Sequence, residues 1–69
     1  MTYVAVTDWS ELDGQQVLIR RGGETRDTGT VDAVTKDGSV LWLQGNGAVN
    51  RRLYAQAELY EAWKRASSK

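Results

Sequence analysis

Between residues 16 and 44 the chain repeats one device. A short β-branched, apolar run is followed by a glycine-bearing turn, and then another such run begins. "QVLIR" at 16–20 reads as a strand, entered from the turn signal Asp13-Gly14. "RGGETRDTG" at 21–29 is polar and glycine-bearing, which predicts a loop of some length. "GTVDAVT" at 29–35 reads as a second strand. Its Val31 and Val34 alternate imperfectly, which predicts a bulge or a strong bend. Asp37-Gly38 then stands between two β-rich runs and favours a type I′ hairpin, because both central residues take positive φ at low cost. "SVLWLQ" at 39–44 is a third strand, apolar enough to be central. Gly45-Asn46-Gly47 turns the chain, with Asn46 and a glycine at positive φ, into a fourth strand, "AVNRRLYA", at 48–55.

The end of the chain admits two readings. Leu53, Ala57, Tyr60 and Trp63 or Lys64 are spaced by three and four, which suits a short helix. The alternative is one helical turn at Ala55–Glu58 followed by a strand at Leu59–Trp63, a fifth strand that closes the sheet. Strands of this length and spacing, with no proline, predict a mainly β fold, a small five-stranded barrel. Residues 1–66 form its single domain, and 67–69 are a frayed tail. Near the start, "TDWSEL" places Thr7, Asp8 and Ser10 ahead of Glu11, the pattern that caps a helical turn.

Sixty-nine residues bury little surface, so each large apolar side chain counts. At least two of Trp9, Trp42 and Trp63 are therefore expected in the core, with Trp9 and Trp63 placed to meet near the chain ends. The chain has neither cysteine nor histidine. That removes disulfides, thiolate zinc sites, the commonest metal ligand and the usual acid–base group. Asp27, Asp32 and Asp37 do not have calcium-loop spacing, and no metal or cofactor is expected. Asp8, Glu11 and Asp13 read as a solvated loop, and the expectation is a non-catalytic chain. A site assembled at the centre of an oligomeric barrel is the one enzymatic architecture left open.

The region 13–43, "DGQQVLIRRGGETRDTGTVDAVTKDGSVLWL", resembles SH3-like barrels of the KOW type. The resemblance rests on Gly14, Val17, Ile19, Gly22 or Gly23, Gly29, Val31, Val34, Gly38 and Val40. It implies an SH3-like five-stranded barrel that serves as a binding module. KOW domains that bind ribosomal RNA are rich in lysine, whereas this chain has nine basic and nine acidic residues. "ELYEAW" echoes the aromatic stretch of peptide-binding SH3 domains, but at the opposite end of the chain, so groove residues do not transfer.

"QGNGAVNRRLY" at 44–54 looks like a phosphate loop and fails as one. Its glycines precede a strand rather than a helix N-terminus, and the lysine and hydroxyl of a P-loop are missing. Adjacent strand residues face opposite ways, so Arg51 and Arg52 serve different surfaces. With Leu53 turned to the core, Arg52 and Tyr54 become the expected exposed binding pair. Arg20, Arg21, Arg51 and Trp42 complete the candidate site.

A protein partner is the first expectation, because arginine and aromatics are the usual interface anchors and net charge is zero. Nucleic acid is the alternative, through Arg20, Arg21, Arg26, Arg51, Arg52 and Lys64. Self-association through edge strands overlaps with both. No apolar run approaches membrane length, and no basic-then-apolar leader is present. The expected location is cytoplasmic, in keeping with small bacterial or phage proteins of this build.

Overall fold

A computed structural model describes residues 2–45, 48 and 50–66. The chain is mainly β. Its strands are β1 (Tyr3–Val6), β2 (Gln16–Arg21), β3 (Glu24–Val34), β4 (Val40–Leu43), β5 (Arg52–Ala55) and β6 (Glu61–Arg65). All neighbours are antiparallel, in the order β1-β6-β2-β3-β4-β5. The expected five strands are thus six, and the order ends at two edges, β1 and β5. Among the described residues nothing pairs those edges, so the sheet curls without closing.

The additional strand is "YVAV", whose partner is β6. β6 also settles the ambiguous C-terminal segment in favour of a turn plus strand. Gln56–Glu58 form a single 3₁₀ turn, ended by Leu59 at φ 70°, and the chain then runs between β1 and β2. Ladders on both sides satisfy its backbone donors and acceptors, an outcome that an isolated terminal helix could not match.

The region 21–29 is not a long loop. Gly22 and Gly23 alone turn the chain, at φ 62° and 80°, and Arg21 pairs with Glu24. Two central residues at positive φ make this the type I′ hairpin. Asp37-Gly38 is not one, because only Gly38 is at positive φ there. The Asp37 carboxylate instead accepts hydrogen bonds from Ser39 Oγ (2.7 Å), Thr35 Oγ1 (2.8 Å) and Ser39 N–H (3.0 Å). Those bonds lower its pKa and brace the turn from the side chain. Of the positive φ expected at Asn46 and a glycine, Gly45 does not take it, and Asn46 and Gly47 lie outside the described residues, as do Val49 and the 67–69 tail. The fourth strand itself begins only at Arg52.

β3 is eleven residues long and serves both halves of the sheet. Its early part pairs with β2. After a register shift between Val31 and Ala33, the irregularity anticipated there, its end pairs with β4. The resulting concave face carries Val17, Ile19, Val31, Leu41, Leu43 and Ala62, all buried. Trp9 and Leu12 close it from the 3₁₀ turn Trp9–Glu11, which Asp8 caps by accepting from the Ser10 N–H. Trp9 is the one tryptophan that is fully buried. Trp42 and Trp63 are half-buried on the convex face, because Leu41, Leu43 and Ala62 occupy the alternate inward positions.

Gly38 anchors that cap to the sheet. A Cβ there would lie 2.6 Å from Asp8 Oδ1 and 3.1 Å from the backbone nitrogens of Trp9 and Ser10, at a φ of +75°. Gly38→Ala is expected to cost about 2 kcal/mol, the sum of left-handed strain and a displaced turn. Thermal unfolding checks it, with a fall of roughly 10 °C expected for a domain of this size. No helix among the described residues is long and apolar enough to cross a membrane.

Candidate functional site

The arginine-aromatic residues singled out in the sequence occupy three separate places. Arg52 and Tyr54 do not form an exposed pair. The β4–β5 register places Tyr54 beside inward Leu41 and Arg52 beside inward Leu43, while Leu53 faces out, 55% exposed. The facing inferred for this strand is therefore inverted. The reason lies in β3, whose Asp27 points inward at the same level and binds both residues. Arg52 donates to Asp27 from Nε (2.9 Å) and Nη2 (3.1 Å), Tyr54 OH donates at 2.7 Å, and the Thr28 N–H donates at 2.7 Å. Arg52 also donates to the carbonyls of Gln44 and Thr28. These bonds tie β3, the end of β4 and β5 together.

The electrostatics match a clamp. The Arg52 guanidinium holds the Asp27 carboxyl below the usual carboxylate range against the opposing effect of burial. Burial and the bond to Asp27 push the Tyr54 phenol up to about 12. Near neutral pH Tyr54 is thus a donor and Asp27 an acceptor, both already committed to partners inside the chain. Tyr60 packs edge-on against Tyr54, with ring centroids 4.8 Å apart, and Arg21 lies 5.0 Å over Tyr60. Arg21 therefore extends the same assembly.

The convex face carries the other two places. On the β4–β5 half, Trp42 pairs with Leu53 and Ala33, and Arg51 lies 5.7 Å over its ring while bonding Asp32 at 2.6 Å. On the other half, Arg20 lies 5.4 Å over Trp63, and Trp63 Nε1 donates to Glu61. Arg20 also donates to the Gly23 carbonyl at 2.6 Å, while its Nε is buried without a partner.

Beside Trp63 is a groove of about 160 Å³ lined by Tyr3, Gln16, Val17, Leu18, Thr28 and Arg65. Tyr3 pairs with Arg65 across β1 and β6, and Leu18 pairs with Trp63 across β2 and β6. The groove's lining combines the apolar Val17 and Leu18 with hydroxyl, amide and guanidinium groups. No carboxylate lines it, and Arg65 makes no ion pair among the described residues. It can hold an apolar group next to an anionic one.

None of the binding residues named from sequence lines this groove. Tyr3, Leu18, Trp63 and Arg65 were missed as site residues. A signal existed in "EAWKR", where period two puts Glu61, Trp63 and Arg65 on one face once the segment is known to be a strand. No family model, curated protein or solved structure matches the chain.

Proposed function

We propose that this chain is a non-catalytic protein-interaction module, and that it binds an acidic, extended segment of a partner in the Tyr3–Arg65 groove. The observation that carries the reading is that groove: an open concavity that sets Leu18 beside hydroxyl and amide groups and a guanidinium with no ion pair among the described residues, and has no carboxylate in its lining. Trp63, paired with the groove residue Leu18 and stacked under Arg20, supplies a further arginine and aromatic pair of the kind that dominates interface energetics. An SH3-like module related to the KOW pattern accords with this role. The Gly14 turn, β2 with Val17 and Ile19, the Gly22-Gly23 turn and the Gly38 turn follow the spacing on which that resemblance rests.

Screening the chain against a displayed random-peptide library is expected to enrich acidic sequences. The Tyr3→Ala/Arg65→Glu variant should bind the enriched peptides at least tenfold more weakly, a difference of about 1.4 kcal/mol. A library that yields no binder, or peptides bound equally by the variant, would sink the reading.

Nucleic acid is the second reading, favoured by the same aromatics and by Arg20 and Arg65, since bases stack on such side chains. It is weaker because Arg26, Arg51 and Arg52 each bond an acid, Glu24, Asp32 and Asp27 respectively. Oligonucleotide binding that falls steeply with salt would move the groove to that class.

A further inference from the structure

At the far end of the strand order from the groove, β5 is an edge that no strand among the described residues covers. Edge strands are usually protected by lysine, proline, a bulge, an inward-pointing charge or by being very short. β5, "RLYA", is short and turns Arg52 inward, but it carries no lysine, proline or bulge, and its central Leu53 is more than half exposed beside Trp42. Both charges at this edge are already met within the chain, Arg52 by Asp27 and Arg51 by Asp32.

The direction of the free backbone groups follows from the register. The Gln56 N–H donates to the Ser39 carbonyl at 2.9 Å, one step beyond the Val40–Ala55 pair. Antiparallel partners alternate between hydrogen-bonded and non-bonded pairs. Tyr54 and Arg52 therefore bond toward β4, while the N–H and C=O groups of Leu53 and Ala55 point off the edge. Among the described residues no strand receives them.

We infer that β5 pairs with β5 of a second copy, antiparallel about a two-fold axis at Leu53. This register brings together residues whose backbone groups point outward in both copies. Leu53 meets the second copy's Leu53 as a hydrogen-bonded pair, and Ala55 meets the second copy's Arg51. No like charges oppose each other, and the two Leu53–Trp42 patches become continuous across the axis. An arbitrary strand would have to match this parity and this lack of charge; a second copy does so by symmetry. The pairing is short, so it gives a concentration-dependent equilibrium rather than an obligate dimer.

Because the chain contains no cysteine, Leu53→Cys introduces a single thiol. In a hydrogen-bonded pair the two Cα atoms lie about 5.5 Å apart, within the roughly 4.4–6.8 Å that a disulfide spans. Mild oxidation should link this variant at least tenfold faster than Glu58→Cys, an exposed control. Light scattering of the unmodified chain should show the mass rising toward that of a dimer between low-micromolar and near-millimolar concentration. Leu53→Lys, folded by circular dichroism, should remain monomeric. The proposal is overturned if the chain stays monomeric throughout. It is equally overturned by a dimer that survives Leu53→Lys, or by Leu53→Cys linking no faster than the control, since either places the contact elsewhere. These outcomes do not depend on peptide binding at the groove.

Discussion

Trp9→Ala is expected to leave this chain largely unfolded at room temperature. Trp9 is 1% exposed and, with Leu12, covers the concave face of a sheet that, among the described residues, does not close on itself. Truncating a buried tryptophan costs about 3–5 kcal/mol in lost burial plus the cavity left behind. A chain of this length has roughly 3–10 kcal/mol in total. The seven remaining buried side chains are too few to repack around a void of that size. Far-ultraviolet circular dichroism and a urea titration check this, with Trp9→Phe as the partly filled control. A Trp9→Ala midpoint close to that of the parent chain would show that the 3₁₀ turn is ornamental and that the sheet is stable without its cover.

Asp27→Asn is expected to be the most damaging change that leaves side-chain volume intact. The carboxylate accepts from Arg52, Tyr54 and the Thr28 N–H, and only a fifth of its side chain is exposed. An amide turns one acceptor into a donor facing donors, leaving part of the network unsatisfied, at a cost of about 2 kcal/mol. A pH dependence follows with a definite sign. The folded-state pKa of Asp27 is lowered, chiefly by the hydrogen bonds from Arg52. Its contribution is therefore complete above the unfolded value of about 3.9 and is lost as pH falls through the lower folded value. The stability gap between the parent and Asp27→Asn should be widest near neutrality and should narrow as the pH drops below about 5. A gap that stays constant from neutral to strongly acid pH would refute the clamp. A carboxyl titration of Asp27 followed by nuclear magnetic resonance, showing an ordinary midpoint, would refute it as well.

The clamp also shows why the candidate site was only partly legible. In "NRRLY" the alternation of strand faces is plain, but alternation does not say which parity faces inward. Hydrophobicity argued for Leu53, and Leu53 is the exposed residue. A carboxylate 25 positions upstream of Arg52 reversed that choice by giving the polar pair buried partners. The tryptophans tell a similar story. Trp42 has the larger apolar surface, yet Leu41 and Leu43 take the inward positions because the bend in β3 sets the register of β4. The groove as a whole was not legible, since its lining comes from four strands, β1, β2, β3 and β6, brought together only by the sheet order.

Local chemistry by itself determined the class of the fold, the strands β2 and β4, the bent character of β3, the capped turn at Trp9–Glu11 and the glycine turns at Gly14 and Gly38. Each is a property of a few adjacent residues: φ preference, β-branching and short-range hydrogen bonds. Only the tertiary structure decided that residues 61–65 are a strand and that "YVAV" is another. It also decided that β5 turns its arginine inward and that the sheet ends in two edges. Those outcomes depend on which backbone groups find partners across distant parts of the chain, and on where a partly buried carboxylate happens to point. Neither is visible within a window of a dozen residues.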